Sequence, residues 1–314
     1  MIIKEKYGIC DGEQIYKYTL KSENLTAEIF NYGGIIKSLK FNDIEVVIGL
    51  NSLDEYRTKF GSFGAIIGRC ANRIKGGKIN LSGVEYQLTQ NEKGEHTLHG
   101  GENGFSKKVW QAEEVGDSLV LTYTSVDGEE GFPGELKVKV VYSIKNNGLE
   151  IEYFAKTDKE TVCNLTNHSY FNLNGGGDVL NHTLFINADQ YTPVDESNCP
   201  DGRIESVKNT YLDFSSPTKI GDRIPCEESK FLDKNYVVKG TGYRKVAEAV
   251  GDKTGIKMEV YTTEPGLQLY TPISCSSFCL EAQKFPNAVN VLSFISPVIT
   301  KDKDYYQKTA YIFK

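Results

Sequence analysis

Two features of the sequence predict an all-β fold, built as an antiparallel meander or a sandwich. First, apolar and polar residues alternate strictly over several runs, which is the pattern of strands with one buried face. Second, glycine-rich turns separate these runs roughly every eight to fifteen residues, as in antiparallel meanders and sandwiches. The alternating runs are 136–142, 149–153 and 256–260, and the turns are 127–134, 145–148 and 251–255.

Helical signals are weak along the chain. Residues 52–57 predict a single helical turn that Ser52 caps, and no long apolar stripe with helical spacing follows. The sequence contains no linker, low-complexity segment or repeat at a fixed period. Because the strand pattern continues without a break, we expect one domain over residues 1–314.

Charge and composition exclude several classes of partner. The formal net charge is −6 and there is no basic run, so nucleic acid is not an expected partner. The N-terminus lacks the apolar core of a signal peptide, and no apolar stretch is long enough to span a bilayer. We therefore expect a cytoplasmic protein that does not engage membranes.

The seven cysteines indicate a reducing compartment. Their number is odd, their density is low and no Cys-x-x-Cys pair occurs, so we expect free thiols that mostly fill small core positions. These residues are Cys10, Cys70, Cys163, Cys199, Cys226, Cys275 and Cys279.

The chain has four histidines, which are the main side chains that titrate near neutral pH. Of these, His168 lies in residues 164–173, where a cluster of polar side chains is packed between aromatic residues and leucines. Buried polar groups need hydrogen-bond partners, and a concave polar wall with aromatic neighbours would suit a sugar. A hydrogen-bonded bulge that carries a surface histidine is the alternative.

Two further segments contain candidate site residues. Arg69 and Arg73 lie among small residues in segment 67–77 and could place a guanidinium at a ligand; solvated arginines on an edge strand are the alternative. In an extended segment Glu281 would share a face with Cys279 and point inward, where a carboxylate requires a partner or a role. A surface glutamate is the alternative there.

Motifs for metals and for nucleotide cofactors are absent. His96 and His99 are three residues apart in a glycine-ended loop rather than four apart on a helix, and no third ligand is recognisable. The chain also lacks Gly-x-Gly-x-x-Gly after a strand, a phosphate-binding loop and the Gly-x-Ser-x-Gly of serine hydrolases. We therefore expect neither a metal nor a cofactor.

Together, the motifs of this chain resemble the aldose 1-epimerase (galactose mutarotase) family from about residue 30 to residue 290. Gly68-Arg-Cys-Ala-Asn-Arg-Ile74 is similar to the family's Gly-Arg-x-Ala-Asn-Arg-Ile, and Thr97-Leu-His-Gly-Gly101 is similar to its Thr/Ser-Leu-His-Gly-Gly. The resemblance implies the galactose mutarotase-like supersandwich, a large twisted sandwich of antiparallel sheets with the sugar in an open cleft. Five other segments follow in the family's order: 46–56, 127–134, 164–173, 263–271 and 280–283.

The resemblance also implies an activity, the interconversion of the α and β anomers of free hexoses such as galactose and glucose without a cofactor. It implies that His168 is the general acid and Glu281 the general base. At pH 7 a glutamate with an ordinary pKa is already a base, and roughly one quarter of an ordinary histidine is protonated. The positions that match the family's sugar-contacting residues are Asn72, Arg73, His99, Ser169, Tyr170, Asp233 and Gln268.

The chain departs from the family's pattern at a few positions. Lys234 replaces a common histidine, Asn287 replaces a usual aspartate, and the loop 270–278 is shorter than in many relatives. These departures bear on sugar preference and on the rim of the cleft. Two different functions stay open: an epimerase of hexose 6-phosphates, which needs cations for the phosphate, of which Lys234 could be one, and a non-catalytic sugar-binding protein. A glycosidase fits less well because it uses paired carboxylates.

Overall fold

Antiparallel strands form almost all of the regular structure, which confirms the all-β prediction. The computed structural model of the protein describes residues 2–59, 61–224 and 231–314, so the thiol expected at Cys226 lies outside the described residues. Within these ranges the strands are, in chain order, β1 Ile3–Cys10, β2 Glu13–Lys21, β3 Leu25–Phe30, β4 Ile36–Phe41, β5 Ile44–Glu45, β6 Ile66–Ile67, β7 Arg73–Ile74, β8 Lys78–Leu81, β9 Val84–Gln87, β10 Thr97–Leu98, β11 Gln111–Val115, β12 Ser118–Ser125, β13 Leu136–Lys145, β14 Gly148–Thr157, β15 Thr161–Val162, β16 Thr166–Asn167, β17 Thr183–Ile186, β18 Ala188–Thr192, β19 Glu205–Ser206, β20 Thr218–Lys219, β21 Asp233–Val238, β22 Arg244–Val250, β23 Lys257–Thr262, β24 Gly266–Tyr270, β25 Cys279–Gln283, β26 Val298–Ile299 and β27 Tyr305–Phe313.

Three large sheets contain most of these strands. The largest has nine strands in the order β11-β12-β13-β14-β27-β23-β22-β17-β20. Two five-stranded sheets have the orders β1-β2-β3-β4-β5 and β19-β18-β21-β24-β25. The last strand of the chain, β27, pairs antiparallel with both β14 and β23. The C-terminal segment therefore completes the middle of the largest sheet rather than adding an edge.

The alternation seen in the sequence buries one face of each strand. In β13, Leu136 and Val140 are buried and the lysines between them are exposed. Such residues from all three large sheets join one core cluster that extends from Tyr18 to Phe313. Each large apolar side chain that is fully buried contributes about 1.5–3 kcal/mol of stability. A shared core is what a single domain requires, and one domain over the whole chain stays a prediction.

The predicted helical turn is present as α1, Leu53–Thr58. The Ser52 hydroxyl accepts a hydrogen bond from the Glu55 N–H (3.2 Å), which is the expected cap. With six residues, α1 is short, and none of the described helices is long and apolar enough to cross a membrane. Single 3₁₀ turns complete the helical structure: Lys75–Gly77, Phe105–Lys107, Glu129–Gly131, Ile220–Asp222 and Ala288–Asn290.

The cysteines that the structure describes occupy the interior, as expected. Burial in an apolar interior suits a small thiol that makes only weak hydrogen bonds. Cys275 is buried, and the free buried thiols are Cys10, Cys70, Cys163, Cys199 and Cys279.

Arg69 is a buried structural cation. Its guanidinium donates to the carbonyl oxygens of Ser125 (2.9 Å), Val126 (2.7 Å) and Pro133 (3.0 Å), and its Nε donates to Ser125 Oγ (2.8 Å). A buried charge is tolerated only when its donors find partners. These bonds tie the segment between β6 and β7 to the loop 125–134, so Arg69 supports the fold, and only Arg73 remains a candidate for contact with a ligand.

We expect Arg69→Met to lower the free energy of unfolding by about 3 kcal/mol or more, because charge-assisted hydrogen bonds are lost and buried carbonyls lose their donors. Urea unfolding followed by tryptophan fluorescence measures the loss. The control is Arg203→Met, which removes an exposed arginine paired with Asp201 and Glu205 and should leave stability essentially unchanged. A loss no larger than that of the control would contradict the structural role.

Candidate active site

Hydrogen bonds hold His168 to residues 64–65 and His99 to Asn72, and the ring centroids of the two histidines lie 5.3 Å apart. Gly64 N–H donates to His168 O (2.9 Å), and His168 N–H donates to Ala65 O (3.0 Å). His99 N–H donates to the Asn72 carbonyl (3.0 Å), while Asn72 N–H donates to His99 Nδ1 (3.2 Å). His99 and Asn72 both have left-handed backbones, with φ of 53° and 58°, an uncommon conformation that recurs at functional sites.

One face of the β19-β18-β21-β24-β25 sheet provides a polar floor. Glu281 on β25 pairs directly with Gln268 on β24, and Gln268 pairs with Asn235 on β21. Asp233 pairs with Tyr270 two residues further along the same two strands. Because side chains two residues apart on a strand share a face, all five side chains project from one side of the sheet.

The polar floor and the paired segments enclose a cleft of about 320 Å³. Gln268 lines a small pocket that shares Asn72, Arg73 and Asp233 with the cleft. Ser169 is buried, and its hydroxyl donates to Asn167 Oδ1 (2.6 Å), so the structure places Ser169 in the support of the cleft wall. The other seven predicted site residues line the cleft: Asn72, Arg73, His99, His168, Tyr170, Asp233 and Glu281.

His168 and Glu281 form a buried pair in the cleft. His168 Nε2 lies 3.7 Å from Glu281 Oε1, and their side chains are 7% and 2% exposed. Burial lowers the pKa of His168 to about 4. Burial also raises the pKa of Glu281 well above its usual value, with a smaller rise from the charge of Asp233. The ordinary pKa values expected from the sequence are wrong here, because reference values hold for side chains in water.

His99 presents a fixed hydrogen-bond donor to the cleft. Since its Nδ1 accepts from Asn72 N–H, the neutral ring carries its proton on Nε2. Burial, with the charges of His168 and Arg73, lowers the pKa of His99 well below its usual value and keeps the ring neutral.

Judged by spacing alone, His99, His168 and Glu281 could coordinate a metal ion. His99, His168 and Glu281 each offer one ligand atom, and these atoms lie within 4.8 Å of one another. A metal requires a lone pair from each imidazole, whereas the Asn72 amide keeps a proton on the cleft-facing nitrogen of His99. The residues therefore fit a metal poorly, and the expectation of a metal-free site stays a prediction.

Arg73 and Asp233 form a charged end of the cleft. Arg73 Nε and Nη2 donate to Glu92, both at 2.7 Å, while Arg73 Nη1 lies 3.8 Å from Asp233 Oδ2. Gln268 Nε2 donates to Asp233 Oδ1 (2.5 Å). Burial by itself lowers the pKa of Arg73, but the Glu92 hydrogen bonds and the Asp233 charge outweigh it and raise that pKa. Guanidinium, carboxylate and amide groups together can donate to and accept from sugar hydroxyls.

Aromatic rings around His168 form an aromatic wall of the cleft, and the polar floor contributes one of them, Tyr270. The Tyr170 ring stacks on Phe63 with centroids 4.1 Å apart and on His168 at 5.0 Å, and Tyr270 meets His168 edge-on at 6.2 Å. Phe63, Tyr270 and Glu92 were not among the site residues that the sequence predicted. Tyr270 could have been found, because it lies two residues from a predicted site residue on the same strand. Phe63 and Glu92 lie in turns, where no periodicity reveals which way a side chain points.

The remaining two histidines serve the fold. His96 is buried and its Nδ1 accepts from Gly76 N–H (3.1 Å). His182 is fully buried and its Nε2 accepts from Leu173 N–H (3.0 Å). Both side chains secure a backbone amide that a turn leaves without a carbonyl partner.

Comparisons with known proteins agree with the motifs. The family model described as aldose 1-epimerase matches residues 16–311. This chain belongs to the aldose 1-epimerase family. Galactose mutarotase of Bos taurus is 37% identical over 95% of this chain and 93% of that protein. Aldose 1-epimerase of Haemophilus influenzae is 37% identical over 86% of this chain and 83% of that protein. The family that the motifs predict is confirmed.

Solved structures of related proteins share the fold. An aldose epimerase homologue from C. elegans aligns with a TM-score of 0.89 and 28% identity over 94% of this chain and 98% of that one. A galactose 1-epimerase from Lactobacillus acidophilus aligns with a TM-score of 0.88 and 26% identity over 100% of this chain and 98% of that one. The galactose mutarotase-like fold is therefore confirmed along the chain.

We expect His168 to titrate near pH 4 in the sugar-free protein, and His99 to remain neutral with its proton on Nε2, because loss of solvation in the cleft lowers the pKa of both rings. Proton–nitrogen spectra of the ring nitrogens across pH report both properties. His168→Asn identifies the His168 signals, which is needed because burial also lowers the pKa of His182 to about 4. A His168 that titrates at the ordinary value of about 6.5, or a His99 protonated on Nδ1, would contradict the geometry.

Proposed function

We propose that this protein is an aldose 1-epimerase that interconverts the α and β anomers of free hexoses, galactose and glucose among them. The observation that carries the proposal is the His168–Glu281 pair, two proton-transfer groups 3.7 Å apart in the cleft. A cyclic hemiacetal needs one such group at its ring oxygen and one at its C1 hydroxyl, and both oxygens are bonded to the same carbon. Family membership and the names of the galactose mutarotase relatives support the same reaction.

Ring opening requires a proton at the ring oxygen and the loss of one from the C1 hydroxyl. In the productive form the pair holds one proton, on His168. His168 gives it to the ring oxygen, Glu281 takes the C1 hydroxyl proton, and the bond between C1 and the ring oxygen breaks to leave an aldehyde. After rotation about C1–C2, His168 takes a proton back from the ring-forming hydroxyl. Glu281 returns its proton to the C1 oxygen, so the ring closes as the other anomer.

Burial decides how the pair holds its proton before the sugar binds. Because burial lowers the pKa of His168 and raises that of Glu281, the free pair favours a neutral imidazole beside a neutral carboxyl group. The productive arrangement also holds one proton and differs only in that this proton has moved from Glu281 to His168. Sugar hydroxyls that bond to the carboxylate would favour the charged arrangement.

The other cleft residues would hold the pyranose so that C1 lies between the acid and the base. Positioning of this kind is itself a large part of many rate enhancements. His99 would donate from Nε2, and the aromatic wall would cover the C–H face of the sugar. Ser169 would act through Asn167 on the position of its neighbour His168. The residues that we assign to sugar contact are Asn72, Arg73, His99, Tyr170, Asp233 and Gln268.

The cleft suits a neutral sugar better than a sugar phosphate. A phosphate dianion is best bound by cations that are free to donate several hydrogen bonds to it. Among the described residues that line the cleft, three cations besides Arg73 each pair with a carboxylate: Arg57 with Asp11 (2.9 Å), Lys59 with Glu55 (3.3 Å) and Lys107 with Glu102 (3.2 Å). These cations would have to leave their partners before binding a phosphate.

A non-catalytic sugar-binding protein and a glycosidase are both less consistent with the His168–Glu281 pair. A protein that only binds sugar does not need a buried carboxyl group with a strongly raised pKa. Groups with strongly shifted pKa values are concentrated at catalytic sites. A glycosidase of the usual kind places two carboxyl groups across the scissile bond, whereas the partner of Glu281 is His168.

We also propose that the protein works in the cytoplasm. Among the cysteines that the structure describes, Cys10, Cys70, Cys163, Cys199 and Cys279 are buried free thiols, and reducing compartments preserve this state.

We expect the wild-type protein to accelerate the decay of optical rotation of freshly dissolved α-D-galactose and α-D-glucose. His168→Ala and Glu281→Ala should each reduce turnover by about two orders of magnitude or more, because each acid–base partner contributes roughly 10²–10⁴ in rate. Polarimetry measures both effects, and the ratio of kcat/KM for the two sugars gives the preference.

Glu85→Ala, which removes an exposed carboxylate paired with Lys78, is the control and should match the wild type. Failure of the wild type to accelerate either sugar would reject the free-hexose proposal. Near-normal activity in a folded His168→Ala or Glu281→Ala protein would remove that residue from its role.

We expect kcat/KM to be highest where the pair carries one proton. At low pH the pair gains a second proton and the reaction stops. Because the pKa of His168 is lowered to about 4, the acid limb of the pH–rate profile should lie below the ordinary histidine pKa of about 6.5. At high pH the pair loses its last proton and the reaction stops again. Because the pKa of Glu281 is raised, the alkaline limb of the profile should lie above the ordinary glutamate pKa of about 4.3. Polarimetry corrected for the uncatalysed rate tests both; an acid limb centred near 6.5 would count against the pair.

A further inference from the structure

We propose that Glu92 is a positioning residue that fixes the guanidinium of Arg73 at the charged end of the cleft and so sets the affinity for the sugar. Arg73 lines the cleft, whereas Glu92 lies behind it and reaches the sugar only through Arg73. The inference rests on the proposed function for its ligand, a free hexose. The contact between the two side chains does not depend on the reaction.

Glu92 binds Arg73 at two points. Arg73 Nε donates to Glu92 Oε2 and Arg73 Nη2 donates to Glu92 Oε1, both at 2.7 Å. Two parallel hydrogen bonds between planar groups fix the orientation of the guanidinium, which a single bond would leave free to rotate. The side chains are 14% and 19% exposed, so water competes less than it does for a surface ion pair.

This arrangement leaves the other edge of the guanidinium for the sugar. Arg73 Nη1 lies 3.8 Å from Asp233 Oδ2, which is too long for a hydrogen bond. A sugar hydroxyl could accept from Nη1 and donate to Asp233 at the same time. Without Glu92, the guanidinium could turn and bond directly to Asp233, and both hydroxyl partners would be lost together. Glu92 therefore keeps a cation and an anion close to each other without letting them pair.

The backbone that carries Glu92 is well fixed. Glu95 N–H donates to the Glu92 carbonyl (2.9 Å), which closes a tight turn. The Asn91 side chain accepts from Leu98 N–H (2.7 Å) and donates to the Leu98 carbonyl (2.9 Å). Leu98 in turn pairs with Arg73 across β7 and β10. The Glu92 carboxylate is thus presented from a braced turn, and a substitution of its side chain leaves the backbone contacts in place.

Glu92→Gln tests the proposal because it keeps the shape of the side chain and removes its charge. We expect the Kd for galactose, measured by calorimetry, and the KM, measured by polarimetry, to rise by about tenfold. The kcat should change by less than about threefold, because His168 and Glu281 keep their places. Glu95→Gln is the matched control, since Glu95 lies in the same turn with a side chain 67% exposed, and it should match the wild type.

A double-mutant cycle shows whether Glu92 acts through Arg73. Lysine cannot form the two-point contact, so adding Glu92→Gln to Arg73→Lys should weaken galactose binding by less than about twofold. Glu92→Asp, which keeps the charge on a shorter side chain, should recover part of the affinity lost in Glu92→Gln. Equal melting temperatures would show that the variants are folded.

Unchanged Kd and KM in Glu92→Gln, or full additivity with Arg73→Lys, would overturn the inference. A wild type that binds galactose without mutarotating it would overturn the proposed reaction alone, because the binding cycle still tests Glu92. A wild type that binds neither galactose nor glucose would overturn both.

Discussion

The burial of an acid beside a base is the constraint on which this site depends. In water a glutamate and a protonated histidine would form an ordinary ion pair. In the cleft neither charge is favoured, so the pKa of His168 falls to about 4 and that of Glu281 rises. Within the described part of the chain, His168 Nδ1 and Glu281 Oε2 have no hydrogen-bond partner. A polar ligand that contacts this pair would therefore supply bonds that the fold does not.

The fold holds the reactive side chains through their backbones. Glu281 lies in a regular strand, and His168 is bonded on both its N–H and its C=O to residues 64–65. His99 and Asn72 exchange hydrogen bonds that fix a backbone and a ring tautomer together. Because these bonds fix the main chain, each side chain has few torsions left to order when a sugar binds, which is the meaning of preorganisation here.

The sequence alone predicted those parts of the structure that depend on a local pattern of residues. Alternation predicted the strands, as in Leu136 to Val140, and Ser52 predicted the cap of α1. Local pattern singled out His168, Arg73 and Glu281 as candidates, but the other cleft residues came from the family's motifs, because nothing within residues 64–73 shows that they pair with His168. The depth at which His168 and Glu281 are buried could not be predicted from the sequence, and ordinary pKa values for the acid and base were wrong for that reason. Ser169 turns its hydroxyl to Asn167, a local bond that no spacing rule foretells.

The proposed reaction suits a pair that is shielded from water. Opening gives one proton to the ring oxygen and takes one from the C1 hydroxyl, and closure reverses both transfers, so no proton must enter or leave the cleft during turnover. A reaction with net proton release would need a route to solvent for Glu281. The charged end of the cleft is similarly unsaturated, because Arg73 and Asp233 lie 3.8 Å apart and do not form a hydrogen bond with each other. In both places the protein leaves a pairing incomplete, and a sugar with adjacent oxygens can complete it.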